Sequence, residues 1–277
     1  MNNLNLLLNT FRSGTTENKI DSIIDLFRHA DAAEANTLIE LMNSGDQNAS
    51  IASAFILTII GRIESVEFFQ TSESLHEHEK SSILSLAARI SSSHKLIVPP
   101  FSKETQNNLY ELLSYLNPIT FSIDNQFINR LVEVAVKRTI GLILAALGRI
   151  ERQTGKLEVS IDHNNKALEI GRELRDGRII GTALGNLGII FMEMDKYCQA
   201  LNYFHESLAE MDYYNDPGSR KNRILYYLSV LYRKVGDIEY AKWVLVIPPN
   251  IIEELKWKEG QELEAEIKES KLVVKKT

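Results

Sequence analysis

The chain has 277 residues, of which 44% are hydrophobic and 25% charged, and its net charge is −6. This length can bury the core of one large helical array or of two domains. The negative net charge argues against wholesale coating of nucleic acid or of an anionic membrane. The single cysteine, Cys198, cannot form an internal disulfide, and no apolar stretch reaches the ~20 residues that a membrane helix needs. We therefore expect a cytoplasmic protein that makes no membrane contact.

The first half of the chain has the apolar periodicity of helices throughout. We expect Ser102 to cap the helix that follows it. Residues 91–100 hold three serines and a proline pair, which predicts that helix is interrupted there and that this segment is an internal boundary. We interpret residues 1–136 as an irregular all-helical region without an assigned family. The predicted helices are 17–29, 32–43, 49–63, 78–90, 103–116 and 124–138.

A repeat of about forty residues begins near residue 137. Each copy has the pattern Leu-x-x-Leu followed by a small residue, starting at Leu144, Leu184 and Leu225. The small residue would let the two helices of a hairpin approach closely. A turn residue and then a second helix with its own small residue follow at the same phase. The small residues of the first helices are Gly148, Gly188 and Ser229, the turn residues are Gly155, Asp195 and Gly236, and the small residues of the second helices are Ser160, Ala200 and Ala241.

This pattern, over residues 137–245, resembles the tetratricopeptide repeat family in its variant with longer helices. The resemblance implies a solenoid of helical hairpins that binds peptides or protein surfaces along the concave face built by the first helices. Two features depart from the family pattern: Glu151 stands where a large aromatic residue is usual, and the third repeat lacks most of its second helix. By the resemblance, the groove positions are Arg149, Arg152, Asn186, Ile189, Glu193, Arg223, Tyr226, Arg233 and Lys234.

Five of these nine groove positions are basic. Guanidinium groups beside an asparagine can hold carboxylates with bidentate, charge-assisted hydrogen bonds. We therefore expect a protein or peptide ligand, and an acidic peptide or the C-terminus of a protein fits these side chains. The same residues are equally compatible with a solvated helix surface that binds nothing.

Two other motifs resemble a phosphate-binding loop and a metal site but do not predict either one. Six residues separate Gly148 from Gly155-Lys156 instead of four, and Leu157 stands where a phosphate loop needs Ser or Thr for magnesium. His76 and His78 are two residues apart, so they would point to different faces of a helix. No nucleophile elbow is present. We expect no enzymatic activity, no cofactor and no metal site.

The last residues, 243–277, no longer have the helical pattern of the residues before them. Residues 244–247 are a β-branched apolar run that predicts a strand, Asn250 can cap a short helix over 251–255, and Gly260 supplies a turn. Residues 262–267 and 271–275 then predict a hairpin. A unit of this size cannot bury its apolar face alone, which predicts docking on the helices or pairing with a second copy.

This order of strand, helix, turn and hairpin resembles the AbrB, MazE and SpoVT group of swapped-hairpin DNA-binding domains. The resemblance implies a homodimer whose basic residues contact DNA, here Lys242, Lys256 and Lys258. The segment departs from the group because Trp243-Val244 replaces the usual Gly-Arg pair. The seven lysines and seven glutamates of residues 242–277 also cancel, whereas phosphate contacts normally dominate affinity for nucleic acid.

The sequence thus predicts a mainly α protein. It consists of an irregular helical region (1–136), a tetratricopeptide-like solenoid (137–242) and a small β-rich swapped-hairpin module (243–277). The predicted function is transcriptional regulation, in which the array binds a protein or peptide and the C-terminal module dimerises and contacts DNA. The alternative is an adaptor whose C-terminal module serves only for dimerisation.

Overall fold

The structure is a computed structural model. It describes residues 35–60, 62, 64–72, 75–98, 100–117, 126–213, 218–236, 263–268 and 271–276, with residues 10, 13–15, 18 and 22 near the N-terminus. The chain divides into two compact units, Met1–Asn186 (unit 1) and Leu187–Thr277 (unit 2). The predicted helix over 17–29 and the predicted strand and helix over 244–255 lie largely or wholly outside the described residues.

Ten α-helices and two β-strands lie in the described part of the chain. The helices are α1 (Ala35–Met42), α2 (Gln47–Ile59), α3 (Glu64–Thr71), α4 (Glu77–Leu96), α5 (Lys103–Leu116), α6 (Gln126–Gln153), α7 (Leu157–Leu174), α8 (Gly177–Glu193), α9 (Tyr197–Tyr213) and α10 (Gly218–Lys234), and the strands are β1 (Leu263–Lys268) and β2 (Lys271–Lys276).

Helix α2 lies at the centre of the core of unit 1. The Asp46 side chain starts the helix by accepting a hydrogen bond from the Ala49 N–H at 2.9 Å, as an N-cap does. Every residue from Ala49 to Leu57 is buried, which is the pattern of a helix surrounded on all sides. Apolar residues of α1, α4, α5 and α6 join the same core, among them Leu38, Ile83, Leu109 and Ile128.

Two predictions for the first half were wrong in detail. The helix predicted over 49–63 ends at Ile59, and a short helix that was not predicted, α3, begins at Glu64. The turn between them is held by Ser65, whose hydroxyl donates to the Arg62 carbonyl at 2.6 Å and accepts from Thr58 at 2.9 Å. These side-chain bonds across the turn leave no trace in the apolar periodicity.

The predicted interruption at residues 91–100 was also wrong for its first half, because α4 continues through the three serines to Leu96. Ser92 donates to the Ala88 carbonyl at 2.9 Å and Ser93 to the Ile90 carbonyl at 2.6 Å. A serine hydroxyl that bonds back to its own helix in this way does not break it. Ser102 does cap α5, as predicted, by accepting from the Thr105 N–H at 3.0 Å.

The helical hairpins of the repeat turn where the sequence predicts. Gly155, Asp195 and Gly236 have positive φ angles of 80°, 56° and 82°, which is the left-handed conformation that ends many helices. Helix α6 is continuous across residues 136–137, where the sequence analysis places the boundary between the N-terminal region and the repeats. Residues 237–262 lie outside the described residues, so the second helix predicted for the third repeat is not among the elements above.

Close approach of the paired helices also follows the prediction. In unit 1, a Cβ atom on Gly148 of α6 would lie 2.8 Å from Cγ of Asn164 on α7, and the Ser160 hydroxyl donates to the Gly148 carbonyl. In unit 2, a Cβ atom on Gly188 of α8 would lie 2.5 Å from Phe204 of α9. The helices of each hairpin therefore pack at distances that only a residue without a side chain permits.

The C-terminal hairpin pairs β1 and β2 antiparallel, with Leu263 opposite Lys276 and Lys268 opposite Lys271. The hairpin lies at the two segments, 262–267 and 271–275, for which the sequence predicts a hairpin. A two-stranded hairpin does not by itself establish a swapped-hairpin module, because the module also needs the preceding strand and helix. Those elements fall in residues outside the described part, so the β-rich module and its dimerisation remain predictions.

Candidate protein-binding surface

The groove position Arg149, on α6, is engaged by the protein itself. Its Nη2 donates to the Ile97 carbonyl at 3.4 Å, and its guanidinium carbon lies 4.6 Å from the centre of the Phe101 ring, a distance typical of a cation–π contact. Arg152, one turn further along α6, is half-buried. The segment that leads into α5 therefore covers part of this end of the first repeat.

The neighbouring residue Glu151 shows how the structure accommodates its departure from the family pattern. The side chain is 1% exposed, and its carboxylate accepts from Gln106 Nε2 at 2.6 Å and from the Tyr110 hydroxyl at 2.8 Å, both on α5. Lys156 Nζ lies 3.2 Å away. The Tyr110 ring of α5 thus lies next to position 151, where the repeat pattern usually has a large aromatic residue.

The electrostatics of this cluster follow from its burial. Burial alone would raise the pKa of Glu151, but hydrogen bonds from Tyr110 and Lys156 outweigh it and hold the pKa below its ordinary value. Burial and the bond to Glu151 raise the pKa of Tyr110 to about 12. The ionised glutamate therefore anchors α5 to α6.

Replacing Tyr110 with phenylalanine should lower the free energy of unfolding by about 1–3 kcal/mol, because it removes a donor from a buried charge. The loss should shrink as the pH falls below 4.5, the ordinary pKa of Glu151, since only the ionised carboxylate benefits from the donor. Urea unfolding at several pH values measures the loss of stability and its dependence on pH. The control is Tyr115→Phe, at a residue that is 39% exposed, and an equal loss in the two variants would contradict the anchoring role.

The groove position Asn186 lies inside the packing of unit 1. It is 2% exposed, and its Nδ2 donates to the Ala145 carbonyl at 3.0 Å and to Asn164 Oδ1 at 2.9 Å. Asn164, which the sequence analysis did not single out, donates in turn to the Ser160 carbonyl at 2.7 Å. Asn186 thus connects α6, α7 and α8.

The remaining groove positions lie in unit 2. Glu193, near the end of α8, is exposed, and Ile189 is buried at 3% exposure in the core of this unit. Helix α10 carries the rest: Arg223 is half-buried, and Tyr226, Arg233 and Lys234 are exposed. Tyr226 is 54% exposed, which is unusual for so large a side chain beside a packed core.

The residues of α10 share one side of the helix. At about 100° per residue, Arg223, Tyr226, Val230, Arg233 and Lys234 fall within an arc of roughly 100°. We call these five residues the α10 face. The opposite side of α10, with Ile224, Leu228 and Leu231, is buried in the core of unit 2. The α10 face is therefore held on a helix whose other side is fixed.

Contacts with α9 orient α10 further. Tyr227 stacks on Phe204 with ring centres 6.1 Å apart, and the Tyr232 hydroxyl is 2.9 Å from His205 Nε2. These contacts fix the rotation of α10. They leave Tyr226, Arg233 and Lys234 exposed, whereas Nε and Nη2 of Arg223 are buried.

Helix α10 is strongly basic. It carries Arg220, Lys221, Arg223, Arg233 and Lys234 and has no acidic residue. Lys221 forms an ion pair with Asp212 of α9, and Lys234 Nζ lies 5.7 Å from the centre of the Tyr197 ring.

Other predicted sites gain nothing from the structure. Lys242, Lys256 and Lys258 lie outside the described residues. The prediction that His76 and His78 point to different faces of a helix was wrong: their rings stack on each other, because His76 is the N-cap residue of α4 and lies outside its first turn. No cluster of metal ligands occurs in the described part of the protein. None of the helices described there is long and apolar enough to cross a membrane.

The geometry defines an array of helical hairpins with a basic, aromatic face on one helix. Residues 139–211 match the family model of the tetratricopeptide repeat. Among solved structures, BtubC (BKLC) from P. vanneervenii is similar over 96% of this chain and 100% of that chain, with 13% sequence identity and a TM-score of 0.41. None of the curated proteins matches.

Proposed function

We propose that this protein is an adaptor that binds a protein or peptide partner through its helical repeats. The family match over residues 139–211 supports a role in protein–protein interaction. The observation that carries the proposal is the α10 face, where Tyr226 and Arg233 are exposed on a helix fixed to the core of unit 2. Tyrosine and arginine are the residues most often found at the energetic centre of protein interfaces.

The charge of α10 favours an acidic partner. Helix α10 carries five basic residues and no acidic one, and exposed basic side chains such as Arg233 attract carboxylates and speed association. Arg233 can form bidentate bonds with a carboxylate, and Tyr226 on the same face offers an apolar surface. The partner segment that fits carries aspartate or glutamate near an apolar residue.

Selection of displayed random peptides against the full-length protein tests this proposal. We expect the selected peptides to have a negative net charge, and their affinity to fall at least tenfold in Arg233→Glu, since charge reversal replaces an attraction with a repulsion. Fluorescence anisotropy at low and near-physiological salt measures the affinity. The control Lys166→Glu makes the same change of charge on the exposed surface of α7.

Binding that is equal in Arg233→Glu and Lys166→Glu would show that the α10 face is not the contact. Selected peptides without an excess of aspartate and glutamate would contradict the acidic partner. Either result would leave the family match but remove this surface from the proposal.

DNA binding by a transcriptional regulator remains a prediction from the C-terminal resemblance, and no feature of the described residues or of the similar proteins supports it. Anisotropy of labelled duplex DNA with the full-length protein tests it, with Lys256→Ala/Lys258→Ala as the variant. Binding that falls steeply with salt and weakens in the variant would support the regulator. Absence of binding at low salt would leave the adaptor.

A further inference from the structure

A buried histidine lies beside the Glu151 cluster, where α5 packs against α6 and α7. His163, on α7, is 9% exposed, and its ring centre is 5.9 Å from that of Tyr110 on α5. Its Nδ1 atom is buried and has no hydrogen-bond partner among the residues that the structure describes. The ring is therefore in contact with the helix that Glu151 anchors.

The charged and titratable groups around His163 come from every helix of this contact. Helix α5 contributes Tyr110, α6 contributes Glu151, and α7 itself contributes Asp162 and Lys166. Burial lowers the pKa of His163, while the negative charges of Asp162 and Glu151 oppose the lowering without overcoming it. Glu151 already accepts bonds from Gln106 and Tyr110 and pairs with Lys156.

Protonation would make this arrangement unfavourable. A neutral imidazole can leave its acceptor nitrogen unpaired at modest cost, whereas an imidazolium carries N–H groups on both nitrogens. The Nδ1–H would then be a buried donor without an acceptor, on a group whose charge is also removed from water. Separating α5 from α7 would readmit water to the ring and relieve both costs.

We propose that the docking of α5 is a pH-sensitive contact, in which protonation of His163 releases α5 from α6 and α7. The lead-in to α5 supplies the Phe101 ring and the Ile97 carbonyl that engage Arg149. Release of α5 therefore also uncovers a groove position of the first repeat. The consequence for partner binding rests on the proposed function, but the release itself does not.

Hydrogen exchange followed by mass spectrometry of the full-length protein tests the release. After correction for the intrinsic exchange rate, opening of α5 (103–116) should increase between pH 7.5 and pH 5.5. A single histidine that titrates near 6.5 when open gives an increase of at most about tenfold. Exchange in α8, which carries no histidine, should stay unchanged and serves as the internal reference.

The variant His163→Gln keeps a neutral polar side chain and should abolish the pH response of α5. The matched control His205→Gln changes a histidine of unit 2 and should retain it. A pH-independent opening of α5 in the wild-type protein would overturn the proposal. So would a response that persists in His163→Gln, or an equal increase in α5 and α8. If His163→Gln fails to fold, the wild-type titration still tests the proposal, because a pH-independent opening of α5 would overturn it.

Discussion

Replacing Asp176 with asparagine should lower the free energy of unfolding by about 3–5 kcal/mol, the usual cost of breaking a buried ion pair by removing one charge. Asp176 is completely buried, and its Oδ2 lies 2.6 Å from Nε of Arg138, which is 5% exposed. Burial alone would raise the pKa of Asp176, but the charge and hydrogen bond of Arg138 hold it below its ordinary value. Asparagine would leave the buried guanidinium without its counter-charge.

This substitution isolates the ion pair from the helix cap. Asp176 Oδ1 also accepts from the N–H groups of Arg178 at 3.0 Å and Ile179 at 3.2 Å, and asparagine caps helices about as well as aspartate does. Urea unfolding at neutral pH measures the loss. The control is Glu173→Gln, which breaks the exposed pair with Lys137 and should cost less than about 1 kcal/mol.

A double variant, Arg138→Met with Asp176→Asn, separates the cost of an unpaired charge from the value of the pair. Methionine removes the buried charge and asparagine keeps the helix cap, so the double variant should be more stable than Asp176→Asn. Equal losses in Asp176→Asn and Glu173→Gln would show that the buried pair does not hold α6 to the start of α8.

Replacing Gly188 with alanine should destabilise unit 2 by about 1–3 kcal/mol, because the added Cβ overpacks the core. The atom would lie 2.5 Å from Cε1 and 2.6 Å from Cδ1 of Phe204. The Phe204 ring is fully buried and stacks on Tyr227, so it has little room to move. The better helix propensity of alanine offsets only part of the clash.

Loss of secondary structure on heating, followed by circular dichroism, measures the effect of Gly188→Ala. The variant Phe204→Leu removes the ring, so the double variant should lose less than the two single changes added together. At Gly155, where nothing lies within 4 Å of an added Cβ but φ is 80°, alanine should cost only about 1–2 kcal/mol of backbone strain. An additive double variant would mean that the clash is not the cause.

The repeat region was predicted from the sequence because its rules are local. Leucine spacing, a small residue and a turn residue each act within a few positions, so Gly155, Asp195 and Gly236 mark the turns correctly. Helix α5 was also predicted with its bounds, because Ser102 caps it through a bond to Thr105 three residues away. Features of this kind need no knowledge of the tertiary structure.

The candidate site was predicted less completely because it depends on contacts between distant residues. Periodicity places Arg149 at a groove position, but its engagement by Phe101 depends on a segment about fifty residues earlier in the sequence. Asn186 has the same limitation, since its partners are Ala145 and Asn164. On α10 the sequence indicates which side is buried, because Ile224, Leu228 and Leu231 lie on one side of the helix, but a binding role for the other side stays a prediction.

The glutamate cluster illustrates a departure from a pattern that only the structure explains. When only its own segment is considered, Glu151 departs from the repeat pattern without an evident reason. Its donors Gln106 and Tyr110 lie four residues apart on α5, the spacing that places two side chains on one side of a helix. The spacing of Gln106 and Tyr110 is visible in the sequence. The sequence does not show that these two side chains face α6.

The central claim is that the α10 face contacts the partner, and photo-crosslinking tests it most directly. A photoreactive p-benzoylphenylalanine replaces Tyr226 in one variant of the full-length protein and Tyr213 in the other, the latter being 78% exposed at the end of α9. With a selected acidic peptide as the probe, irradiation should attach the peptide at position 226 and not at position 213. Equal crosslinking at the two positions, or crosslinking at position 213 alone, would contradict the account.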